Sequence, residues 1–131
     1  MLLIDAANVV GSRPDGWWRD RAGAARTLVA RIRSATEAGA LTPPVVVVLE
    51  GAARRGAGEG VAGGVTVVHA AGEGDDTLVV VATDANEPVV LVSADRALGD
   101  RCRAVGGDVV GPRWLLDRLG SCAQTPPDAR L

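Results

Sequence analysis

The stretch PPVVVVLEG, residues 43–51, is apolar and mostly β-branched, and it is bounded by Pro and Gly. Branching at Cβ favours extended backbone, so the stretch reads as a strand. A strand with one wet face alternates polar and apolar residues. An unbroken apolar run means that both faces are buried, as in a parallel sheet covered by helices on both sides. A chain of 131 residues can bury such a sheet within one domain.

The flanking segments fit that architecture. MLLID (1–5), VTVVHA (65–70), PVVLVS (88–93) and GDVVG (107–111) read as four more strands. Between the first two strands, Asp15 is expected to cap a helix over residues 16–38, with Trp18, Ala22, Ala25, Val29 and Ile32 as its buried stripe and Gly39 as its stop. Residues 75–86 have strand propensity. A helix there nonetheless preserves the β–α–β alternation of a parallel sheet with right-handed crossovers, and a helix is expected. ADRALGDRCRAV supplies the next helix, and GPRWLLDRLG the last, starting at Pro112 and ending at Gly120. The Gly-rich segment 51–64 reads as a mobile loop without a phosphate-loop pattern. The expected organisation is one domain over 1–120 and a flexible tail over 121–131. Trp18 and Trp114 are expected in the core, while Trp17 is available to stack on an unpaired base.

Composition limits the function. A net charge of −2 argues against broad adhesion to nucleic acid or anionic membrane. All fourteen basic residues are arginines, a bias that codon usage explains as well as phosphate binding does. Two cysteines with no metal-site spacing make no disulfide framework. Asp5 interrupts the apolar N-terminal stretch, which lacks a basic leader, so a cytoplasmic protein without a membrane span is expected.

The acids carry the chemical signal. Asp5 ends the first strand, Glu50 the second, Asp75 and Asp76 follow the third, and Asp95 follows the fourth. Ligands of open α/β sheets bind beyond the carboxyl ends of the strands. Asp75 and Asp95 are equally well explained as helix caps, and Glu50 as a loop residue. Asp5 is harder to explain, because it lies among Leu, Ile and Val with no Lys or Arg near it in sequence. Carboxylates that converge repel one another, and a divalent cation is the usual remedy. With oxygen donors only, Mg²⁺ or Mn²⁺ fits better than zinc. His69, the one histidine, is expected to pack or hydrogen-bond within its strand.

LLIDAANVV, GEGDDTLVVVA, VVLVSADRAL and AVGGDVVGPRWLLDRL, taken in order, resemble the motifs of NYN domains, a group of PIN-like nucleases. The resemblance spans most of residues 1–119. It implies a PIN-like three-layer α/β sandwich with a five-stranded, mainly parallel sheet of order 3-2-1-4-5 and helices on both faces. It also implies metal-dependent hydrolysis of RNA phosphodiester bonds. By position, Asp5, Asp95 and either Asp76 or Asp75 would hold Mg²⁺ or Mn²⁺, with Asp76 the first choice. Asn8 would orient substrate or a metal-bound water, so the implied catalytic set is Asp5, Asn8, Asp75, Asp76 and Asp95. Arg13, Arg54, Arg55 and Arg96 are the candidates to hold RNA. Many relatives carry a further acid where this chain has Gly99, and the nearest acid is Asp100. A non-catalytic PIN-like module that binds RNA or a protein is the alternative. RNA is the expected partner, a membrane is not, and a homodimer is left open.

Overall fold

The computed structural model describes residues 1–123; the expected tail lies almost wholly outside them. Six strands form one sheet: β1 (Leu2–Asp5), β2 (Val45–Leu49), β3 (Gly60–Ala62), β4 (Val65–His69), β5 (Val90–Val92) and β6 (Asp108–Val110). Their order is β3-β4-β2-β1-β5-β6. The five strands other than β3 are parallel and stand in the expected order; β3 is an added antiparallel strand at the edge of the sheet. The sheet is therefore six-stranded and mixed, not five-stranded.

Five α-helices cover it: α1 (Ala6–Gly11), α2 (Arg21–Glu37), α3 (Gly74–Asp84), α4 (Arg96–Ala104) and α5 (Pro112–Ala123). Period-2 alternation divides each strand between two cores. Leu2, Ile4, Val45, Val47 and Leu49 pack with Val9, Val29, Ile32, Leu115 and Leu119 from α1, α2 and α5. Leu3, Val46, Val48 and Leu91 pack with Leu78, Leu98 and Cys102 from α3 and α4. Val45–Leu49 is buried at every position, which is why its sequence does not alternate. Residues 74–84 are helical despite their valines, as a crossover between parallel strands, although only Gly74, Leu78 and Ala82 are buried and Val80 is 56% exposed.

Five local expectations are corrected. The segment 51–64 is not a loose loop. A 3₁₀ helix spans Gly51–Gly56, and β3 then pairs with β4, Ala62 opposite Val65. The two intervening glycines have φ 60° and 81°, the geometry of a tight two-residue hairpin turn. Gly56 lets the 3₁₀ helix lie on α2, since a Cβ there would run into the backbone carbonyl of Ala22. The helix expected from residue 16 starts at Arg21. Asp20 caps it by accepting from Gly23 N at 2.8 Å, while Trp17–Arg19 form a separate 3₁₀ turn. Trp18 therefore leaves the core and is 54% exposed. Helix α1 has no counterpart in the expected pattern, and α5 runs past Gly120 to Ala123.

Candidate active site at the strand C-termini

Asp5 is the last residue of β1 and also the N-cap of α1. The chain passes from strand to helix without a loop, which holds this carboxylate at the sheet edge. It is only 5% exposed. One oxygen accepts from Asn8 N at 3.3 Å, the other from Ser93 Oγ at 3.0 Å. Ser93, also buried, ends the β5 side of the site, and its Oγ accepts from Asp95 N at 3.1 Å. Asp95 in turn caps α4 through Leu98 N at 3.1 Å. Asn8 closes the arrangement: its Oδ1 accepts from Ala94 N at 2.8 Å. A single serine hydroxyl thus links Asp5 to Asp95, and the Asn8 carboxamide fixes the turn between them.

Burial pushes the Asp5 carboxyl up to about 6. The hydrogen bonds from Ser93 and Asn8 oppose the rise, and the negative charges of Asp75 and Glu50 add to it. Asp75 and Glu50 are thus the acids that act on Asp5. Glu50 follows β2 and folds against the start of α3, its Oε1 only 2.6 Å from where a Cβ on Gly74 would lie. Gly74 is buried, and its missing side chain is the space that Glu50 occupies. The positive end of the α3 dipole favours both acids there. None of Asp5, Glu50, Asp75 and Asp95 has an ion pair among the described residues.

Asp76 is placed differently. Its side chain is 77% exposed and accepts from Arg101 Nη2 at 3.0 Å. Neighbours on a helix point about 100° apart, so one of the two acids faces the site and the other faces α4 and solvent. The residue of the pair whose charge acts on Asp5 is Asp75, whereas Asp76 was the first choice from sequence. Gly99 is buried, with room for a Cβ at 3.5 Å from Arg103 Nη1, while Asp100 is exposed and pairs with Arg103 at 3.5 Å.

The arginines are distributed around this edge. Arg54 is tied down by Gly51 O at 3.1 Å and Ala70 O at 3.4 Å. With Arg55 and His69 it lines an open cavity of about 520 Å³ just past Glu50. His69 bonds Ala57 O through Nε2 at 2.7 Å, the structural role expected for it. Arg96, exposed, lines a depression shared with Ser93 and Asp95. Arg13 pairs with Asp15 at 3.6 Å. Trp17 is half-buried and meets Trp18 edge-on at 6.2 Å. Trp114 is half-buried, with the Arg118 guanidinium 3.7 Å from its ring centroid.

Sequence reasoning passed over Glu50 as a loop residue and did not weigh Ser93. Both had a signal: Glu50 ends a buried strand as Asp5 does, and Ser93 stands in the SAD motif. The donor set is all oxygen, which suits a hard divalent cation. Among the described residues, however, no three His, Cys, Asp or Glu side chains are arranged to hold a metal ion.

A mainly parallel sheet between two helical layers, with acids at the strand C-termini, defines the class as a doubly wound α/β fold. The chain is similar to the crystal structure of Rae1 (YacP) from Bacillus subtilis, with a TM-score of 0.68 at 16% identity, covering 94% of this chain and 76% of that one. At that identity the likeness shows the fold. No family model matches the sequence, and no curated protein matches it. No helix among the described residues is long and apolar enough to cross a membrane.

Proposed function

We propose that this protein is a metal-dependent ribonuclease whose site is the carboxylate group around Asp5. The observation that carries the reading is Asp5 itself, a buried acid without a cationic partner, its proton affinity raised by burial and by Asp75 and Glu50. Structural acids are usually paired or exposed, and an unpaired one at the ligand-binding edge of an α/β sheet is a functional-site signal. The NYN resemblance of the sequence and the PIN-like fold support the same reading.

Asp5, Asp75 and Asp95 would hold Mg²⁺ or Mn²⁺ only after moving together, since among the described residues no three such acids already lie within reach of one ion. When bound, the cation would supply an activated water and offset the charge of the phosphate. The chain's own residues do the rest. At neutral pH Asp5 is mostly ionised, since its carboxyl titrates at about 6. Ser93 orients Asp5 and Asp95 together. Asn8 keeps the Ala94 turn against α1 and has a carboxamide nitrogen to offer substrate. Arg54 and Arg55 flank the acids on one side and Arg96 on the other, where guanidinium groups suit backbone phosphates.

The test is incubation of the protein with single-stranded and structured RNAs in Mn²⁺, Mg²⁺ or EDTA, beside Asp5→Asn and Asp75→Asn. Cleavage that needs the metal and both acids is the expected result. Gly99 and the absence of a three-ligand arrangement among the described residues favour a second reading, a non-catalytic RNA-binding module. RNA binding with no cleavage in any metal would establish that reading in place of the first. The homodimer and the cytoplasmic location stay proposals, checked by light scattering and by fractionation.

A further inference from the structure

A cleft of about 140 Å³ lies between α1 and the 3₁₀ turn that precedes α2. Ala6 and Ala7 form one wall, Trp17 and Arg21 another, and Ala53 and Glu50 complete it. Two alanines leave a gap that larger side chains would fill. The Trp17 indole is held in place: its edge meets Trp18, and the Arg21 guanidinium lies 5.4 Å from its centroid. Glu50 belongs both to the cleft and to the carboxylate group around Asp5. Whatever fills the cleft is therefore continuous with whatever occupies the acid site.

We propose that this cleft is a nucleobase subsite, in which an unpaired base next to the scissile phosphodiester stacks on Trp17, and that it makes the enzyme selective for single-stranded RNA. The inference rests on the ribonuclease reading. Its size admits one planar heterocycle and not a base pair. An indole suits the face of any base, so stacking there is sequence-tolerant. A base inside a duplex would first have to be unstacked and unpaired, at a cost that a free strand does not meet.

Two readouts on a short labelled RNA test it: anisotropy in Ca²⁺ for binding, and cleavage in Mn²⁺. The RNA is used as a single strand, as a duplex, and with one abasic residue placed at successive positions. Trp17→Ala should weaken binding of the single strand at least about fivefold. Trp17→Phe should restore most of it. One abasic position should cost wild type a similar factor and cost Trp17→Ala nothing further. Additive losses, or an abasic scan flat at every position, would overturn the subsite while leaving the ribonuclease intact. A strand bound through Trp17 but never cut would support the subsite and remove the ribonuclease. A strand neither bound nor cut removes both.

Discussion

The two edges of the sheet contrast. At the N-terminal ends of β1 and β5, charge is paired and backbone groups are satisfied. The Met1 ammonium donates to Glu87 at 3.1 Å and to Pro88 O at 2.7 Å, and Leu2 N donates to Pro44 O at 3.0 Å. At the C-termini, Asp5, Glu50, Asp75 and Asp95 gather without an ion pair among the described residues, and Asp5 is buried. The first edge is arranged for stability. The second holds a repulsion that folding alone does not relieve, and this is tolerable where a ligand removes it.

The largest effect expected from breaking this contrast is on catalysis. Asp75→Asn or Asp95→Asn should lower RNA cleavage about 100-fold or more, as loss of a ligand should exceed loss of a supporting residue. Asp76→Asn should stay within about threefold, because it loses only an exposed pair with Arg101. Equal losses at positions 75 and 76 would mean that both acids serve the site.

Ser93→Ala comes next. It removes the donor to Asp5 and the acceptor for Asp95 N, a buried bond and a partly buried one at once. Stability should fall by about 1–3 kcal/mol in denaturant melts. Because the Ser93 bond lowers the proton affinity of Asp5, the Asp5 titration followed by NMR should move further up. A downward move would exclude the serine as the group that holds the carboxylate charged.

Asp5→Asn should raise metal-free stability by about 1–3 kcal/mol at pH 7, up to the scale of a shift of roughly two pKa units. The amide keeps the Asn8 contact and can donate to Ser93 Oγ. The pH dependence follows from the sign of the shift. Asp5 binds its proton more tightly folded than unfolded, so its penalty is absent below the ordinary carboxyl value of 3.8, grows as pH rises, and is complete above about 6. Wild-type stability should therefore lose an Asp5 contribution between these values, and the mutant should not. Mg²⁺ or Mn²⁺ should raise the wild-type melting temperature and leave the mutant's unchanged. A mutant less stable than wild type, with no metal effect on either, would make Asp5 a structural acceptor.

The smallest effect belongs to the other edge. Glu87→Gln should cost less than about 0.5 kcal/mol and leave cleavage unchanged, since Glu87 is exposed. A larger loss would mean that the two edges are not separable.

Much of this was legible in the sequence. The unbroken valines of β2 predicted burial on both faces, and the alternation of strands with helical spacers predicted the parallel order, because periodicity reports how much of an element is covered. Asp5 stood out because no neighbour in sequence could neutralise it. The hairpin of β3 was legible but passed over: VAGGVT places a Gly–Gly turn between two strand segments, hidden within a glycine-rich composition. Other features had no local signal. Asp15 and Asp20 are both acceptable caps, and packing of α2 under the Gly51–Gly56 turn selected the second. Trp18 left the expected core stripe when the helix began at Arg21 and not at residue 16. The sequence by itself determined that acids would meet at one edge of a parallel sheet. Only the tertiary structure decided that Asp75 would turn toward Asp5 while Asp76 met Arg101, and that Ser93, 88 residues from Asp5, would join it to Asp95. Helix rotation and contacts distant in sequence fix side-chain direction, and neither is written in a local pattern.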